Sequence, residues 1–163
     1  MTSVVPRHEL ATDTLVDSVL ATLRWARADL DASIPAARAF GGSWHLVLAV
    51  RTAARLADLR YDYDALKRVM LEDGLTTLQL IRRESPTEFQ ARDPFPVGGV
   101  VEDPATGSAA AALGGYLRDA RLLPAPATIV IRQGETMGRP SRIVVDIPAA
   151  GGIVVTGSAV RIP

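Results

Sequence analysis

The 163-residue chain contains no cysteine. Disulfides, thiolate metal sites and thiol nucleophiles are therefore excluded, although the absence says little about compartment. Histidine is almost as scarce: His8 and His45 stand apart and offer no metal-ligating constellation, so no metal is expected. Net charge is also missing, since 18 basic residues balance 18 acidic ones, which argues against nucleic acid or an anionic membrane as a partner. No apolar run approaches the ~18 residues of a membrane span, and Met1 to Glu9 holds no apolar core of signal-peptide length. A soluble cytoplasmic protein is the expectation. The length suits one domain with a substantial core, and no repeat, low-complexity tract or linker divides the chain.

What the chain does have is an apolar rod. From Ala109 to Leu117 there is no charged residue, and the Tyr116 hydroxyl is the one polar side-chain group. A helix with no face that needs water is a buried helix. Its four alanines and two glycines make it thin enough for other backbone to approach closely, although Gly114 and Gly115 each cost roughly 1 kcal/mol of helix propensity relative to alanine. Thr106, Gly107 and Ser108 open this helix and place free backbone N–H groups at its positive end, a setting suited to a carboxylate or phosphate. Glu102 and Asp103 come just before. The same residues also read as a capped turn, with Thr106 or Asp103 accepting the first amides and Gly107 relieving crowding. Burial of the helix favours a ligand or ordered water at its first amides.

Around the rod the pattern is mixed. Leu15, Val16, Val19, Leu20 and Leu23 recur at helical spacing from Thr14 to about Ala28, with Thr14 and Asp17 resembling a capping box. Ala36–Phe40 and His45–Val50 read as a hairpin around Gly41-Gly42-Ser43. Thr52–Leu59 and Asp62–Asp73 read as helices, the second closed by Gly74. Leu75–Arg82 alternates and has one face more apolar than the other; Thr87–Arg92 returns as its partner after a Ser85-Pro86 turn. The rod spans Ala105 to about Ala120. Beyond it, Thr128–Arg132, Arg142–Ile147, Ile153–Thr156 and Ala159–Ile162 are β-rich. These ingredients predict an α+β domain with one apolar helix inside and amphipathic helices outside. The spaced glycines of Gln133-Gly134-Glu135-Thr136-Met137-Gly138 do not lead from a strand into a helix, so they predict a turn and not a nucleotide loop.

Glu102-Asp103-Pro104-Ala105-Thr106-Gly107-Ser108-Ala109, with Arg92, Pro96 and Gly99 before it and Leu113 and Tyr116 after it, resembles the signature of the phenazine-biosynthesis PhzF-like isomerases, relatives of diaminopimelate epimerase. Gln133 to Ser141 and Val155 to Val160 resemble later segments of the same family. The resemblance covers the C-terminal domain, from about Ala36 onward, with the first residues similar to the tail of an interdomain connection. It implies a curved, mostly antiparallel sheet wrapped around the central helix. It also implies cofactor-independent proton transfer on a small carboxylic acid in a cleft between two such domains.

On that resemblance Asp103 is the catalytic carboxylate, Gly107 and Ser108 hold the substrate carboxylate, and Thr106 contributes to binding or caps the helix. A lone Asp-Pro turn would otherwise read as structural. Glu102 is expected to face solvent or pair with an arginine, Arg92 to attract an anion or serve structure, His45 to be a packing residue, and His8 to lie in a mobile terminus. The Asp93-Pro94-Phe95 order departs from the family's usual phenylalanine placement between Arg92 and Pro96. Two-cysteine racemisation is excluded. The glutamate-bearing N-terminal domain has no counterpart here, which leaves three readings: half of a split isomerase needing a separately encoded N-terminal half, a self-paired homodimer that binds ligand without catalysis, or a truncated piece or degenerate remnant with no activity of its own.

Overall fold

The computed structural model describes residues 1–158 and builds them around the predicted rod. Helix α4, Gly107–Asp119, is buried at every position from Ala109 to Leu117. Around it curls a sheet of β1 (Arg7–Leu10), β2 (Ala37–Phe40), β3 (Trp44–Ala49), β4 (Thr77–Ser85), β5 (Glu88–Pro94), β7 (Ala127–Gln133), β8 (Ser141–Ile147) and β9 (Val154–Thr156), hydrogen-bonded in that order. The two-residue β6, Glu102–Asp103, pairs with the end of β5. Neighbours are antiparallel except β3 with β4 and β5 with β7. The predicted strand Ala159–Ile162 lies outside the described residues.

One N-terminal segment joins both free edges. Residues 7–10 pair with β2, while Ser3 N–H donates to Ile153 O at 2.8 Å and Val155 N–H to Met1 O at 2.7 Å along β9. His8 is therefore in a strand and not in a mobile terminus, and its ring centroid lies 5.2 Å from that of Tyr116. Pro6, between the two pairings, is packed on Gly115, where a Cβ would come within 2.3 Å of the proline ring. Gly41 approaches α4 as closely: a Cβ there would sit 2.7 Å from Ala112 N and 2.8 Å from Ser108 O. The small residues of the rod thus let the N-terminal segment and the β2–β3 hairpin reach its backbone.

The sheet has a core on each face. Ala37, Val47, Ile81, Phe89, Ile131 and Val145 point inward to α4. Outward, Leu46, Leu48, Leu78 and Leu80 meet α1 (Asp13–Leu23) and α3 (Tyr63–Glu72). Buried leucines such as Leu20 and Leu66 each contribute roughly 2 kcal/mol. Strand β4 is consequently buried on both faces, because Thr77 and Gln79 are as inaccessible as Leu78 and Leu80; the expected contrast between its faces is one of polarity and not of exposure. Helix α1 starts and stops earlier than its periodicity suggests. Thr12 and not Thr14 caps it, accepting from Leu15 N–H at 3.2 Å, and Asp17 turns instead to Arg27 at 2.6 Å. Arg24 takes a left-handed φ of 56° and ends the helix. The short α2, Ala53–Ala57, lies against the outer side of β4 and β5.

Candidate active site

Strand directions gather the polar interior at one end. The start of β4, the ends of β5 and β7, the β2–β3 turn and the N-terminus of α4 meet there. Of the buried polar or charged residues, His45, Thr77, Gln79, Asp93, Glu102, Thr106 and Gln133 belong to this end, and Thr22 alone lies elsewhere.

Asp103 sits on β6 directly opposite Asp93 of β5. The Thr106 hydroxyl donates to Asp103 Oδ2 at 2.8 Å, and Ala105 N–H reaches Oδ1 at 3.5 Å. Gln133 fastens this turn from β7: its Nε2 donates to Asp103 O at 2.8 Å and to Thr106 Oγ1 at 3.0 Å, while its Oε1 accepts Thr106 N–H at 3.3 Å. Thr106 occupies the cap position of α4, yet its side chain caps nothing; the hydroxyl is spent on Asp103. No acceptor among the described residues takes the N–H of Gly107 or Ser108, and both residues are partly exposed. Met1 lies against one side, with its sulfur 3.3 Å from where a Gly107 Cβ would be, but leaves the tip open to solvent. Next to the tip, Pro104, Ala105, Arg139, Arg142 and Ser158 line a cleft of about 390 Å³.

The expected site residues Asp103, Thr106, Gly107 and Ser108 are therefore together. Glu102 takes the second of its two expected roles: it is buried and forms a two-pronged ion pair with Arg92, Nη2 to Oε2 at 2.6 Å and Nε to Oε1 at 2.9 Å. Arg92 also donates to Ala57 O at 2.8 Å, so it anchors β6 to β5 and α2, the structural one of its two expected roles. His45 is a packing residue, with Ser43 Oγ 3.0 Å from Nε2 and Thr77 Oγ1 2.8 Å from Nδ1; burial lowers its pKa to about 4. Among the described residues no group of three or more histidine or acidic side chains is placed to hold a metal.

Sequence reasoning passed over Asp93, Gln79 and Gln133. Asp93 is fully buried, and neither of its carboxyl oxygens has a partner among the described residues. Burial pushes its carboxyl well above the ordinary range, Thr106 beside it opposes the rise, and the charges of Asp103 and Glu102 add to it. Gln79, on the inward face of β4, is equally buried and unpartnered at both amide atoms. The signal for Asp93 was its place in the alternation Phe89, Ala91, Asp93 along β5, which sets it on the inward face.

A tucked-in alanine helix with free amides at its tip, enclosed by a curled sheet, matches known proteins along its whole length. The model of the phenazine biosynthesis-like protein family (PhzC-PhzF) covers residues 6–162. The chain belongs to that family. It is 32% identical over 125 residues to an uncharacterized isomerase of Deinococcus radiodurans, a match covering 75% of this chain and 41% of the relative. It superposes on a predicted epimerase of Pseudomonas aeruginosa with a TM-score of 0.78 at 25% identity, covering 98% of this chain and 56% of that one. A Bacillus anthracis PhzF-family protein shares the fold, with a TM-score of 0.74 at 15% identity over 98% of this chain and 60% of that one. The fold is thus of the PhzF and diaminopimelate epimerase type, and the chain spans roughly half the length of these relatives. No helix among the described residues is long and apolar enough to cross a membrane.

Proposed function

We propose that the chain supplies the carboxylate-binding half of a cofactor-independent isomerase site that moves a proton on a small carboxylic acid. The observation that carries this reading is the open tip of α4: Gly107 and Ser108 present unaccepted amides within a few residues of Asp103, which is itself held in place by Thr106 and Gln133. The amides and the helix end bind the substrate carboxylate, the Ser108 hydroxyl assists, and Asp103 gives or takes a proton at the adjacent carbon. A second acid–base group comes from the part of the longer relatives that this chain does not span. Support comes from the isomerase and epimerase relatives, each of which is longer than this chain.

The test is deuterium incorporation into small carboxylic acids in heavy water, by the chain alone and mixed with a candidate N-terminal half. Incorporation only in the mixture, reduced at least ~100-fold by Asp103→Asn, is the expected result. Incorporation by the chain alone overturns the half-site reading.

A second reading is favoured by one surface feature. Met1, Val4, Val5 and Leu10 are each more than half exposed on the segment that closes the sheet beside α4, and apolar residues grouped in this way suit an interface. In this reading two copies pair through that face and bind ligand without catalysis. Sedimentation distinguishes the two: a dimer that stays intact on addition of the N-terminal half supports self-pairing, and a monomer excludes it.

A further inference from the structure

The proposed reaction leaves Asp93 without a task, although it is the most costly side chain in the interior. A fully buried carboxyl group with two unpartnered oxygens cannot be left ionised cheaply. Its surroundings are fixed by the ladder. Asp103 stands opposite it on β6. On the other side, Leu80 pairs with Arg92, so the next step of the same register sets Gln79 beside Asp93 on the inward face. Thr106 lies next to both aspartates and gives its hydroxyl proton to Asp103.

We propose that Asp93 and Asp103 form a proton-sharing pair in which Asp93 keeps the proton and Asp103 carries the single negative charge at the tip of α4. Two donors converge on Asp103, from Thr106 and Ala105, whereas Asp93 has only the same Thr106 hydroxyl beside it and no hydrogen bond of ordinary geometry; hydrogen bonds to a carboxylate favour its charged form and burial favours the neutral one. Two like charges on directly opposed residues are destabilising in addition. As a neutral acid, Asp93 becomes a donor, and the unpartnered Gln79 carbonyl is a matching acceptor on the neighbouring strand. Charges on other elements point the same way. Glu102 of β6 adds to the rise at Asp93 although Arg92 pairs with it, Gln79 and Gln133 carry no charge, and His45 of β3 is neutral above its depressed pKa of about 4. Asp93 is a positioning residue here: it sets the charge of Asp103 and touches no substrate. This pairing concerns the same site as the isomerase reading, but its test needs no substrate, so the two can fail separately.

The test is a carbon-13 NMR titration of the carboxyl groups in the aspartate-labelled full chain. One aspartate resonance is expected to remain at the protonated position at pH 7 and to disappear in Asp93→Asn. In Asp103→Asn the same resonance is expected to persist, with its midpoint lowered, because the opposing charge is gone. Ionisation of every aspartate at pH 7 in the unaltered chain overturns the proposal without recourse to a variant. Survival of the protonated resonance in Asp93→Asn overturns the assignment. A midpoint that does not move in Asp103→Asn shows burial of Asp93 alone and overturns the pair.

Discussion

The two ends of α4 are built from the same small residues and treated in opposite ways. At the C-terminal end, Gly114 is packed against Val145, Ile147 and Ile153, Gly115 against Pro6, and Leu117 is fully buried in an aliphatic shell. There the helix is a spacer, and its stability comes from contact. At the N-terminal end the same sheet turns its polar side chains inward, leaves Asp93 and Gln79 without partners, and leaves the first amides of the helix open. Such buried polar groups cost stability that a purely structural core would not give up. The difference teaches where stability has been given up without a structural return: buried polar groups with no partner mark the end of α4 at which we propose that a ligand and a proton are handled.

If the comparison holds, substitutions at the two ends respond to different variables. The largest effect is expected at the dry end. Leu117→Ala should cost about 3 kcal/mol in urea unfolding, through lost transfer energy and a residual cavity, and the loss should be the same at pH 5 and pH 7 because its buried cluster is apolar apart from Tyr116, whose hydroxyl is pushed up to about 12 by burial. At the polar end the dominant variable is pH. His45 has a folded pKa of about 4 against its ordinary 6.5, so its contribution is present above pH 6.5 and is lost as the pH falls toward 4. Linkage puts the loss at about 2 kcal/mol between pH 7 and pH 5. His45→Gln should remove that part of the acid sensitivity, and unfolding curves with the same pH slope in both proteins would sink the assignment of a neutral buried imidazole. Asp93 acts in the opposite direction: its raised pKa gives stability below the ordinary carboxylate value of 3.8 that is lost as the pH rises through the folded value.

The sequence showed this polarity only in part, for physical reasons that differ by element. Helix α4 was legible because a stretch apolar on every side has one place to go, and Asp103, Gly107 and Ser108 were legible because they form a local run. Strands β7 and β8 were legible from their β-rich composition, and the structure turns Ile129 and Ile131 inward against Ile143 and Val145. Strand β1 was not: Arg7-His8-Glu9-Leu10 has no inward apolar alternation, and it is a strand because β2 offers its backbone a partner. The two-residue β6 is too short to carry a period. In β4, Thr77 and Gln79 read as the less apolar face, and that polarity alone could not show that both are completely buried. Asp93 could be placed inward by counting along β5, but its lack of a partner is a property of neighbours on β4 and β6 and in the turn before α4, and no local pattern encodes that.

The smallest effect gives the sharpest contrast, because one substitution can be made at both ends. In Gly115→Ala the new Cβ lies 2.3 and 2.5 Å from ring carbons of Pro6. The ring cannot yield without moving the segment that closes the sheet, so a loss of roughly 1.5 kcal/mol is expected. In Gly107→Ala the nearest atoms are Met1 Sδ at 3.3 Å and Val155 Cγ1 at 3.9 Å. A methionine side chain at an exposed terminus swings aside easily, and alanine is the better helix former at this position, so stability should change by less than ~0.5 kcal/mol. The methyl group would nevertheless stand over the amides that we propose to hold a carboxylate. Acetate titration followed by the amide resonances of residues 107 and 108 should show weaker binding in Gly107→Ala and unchanged binding in Gly115→Ala. Equal destabilisation by the two substitutions would mean that the tip is packed as tightly as the far end, and the distinction between a structural and a reactive end of α4 would then be lost.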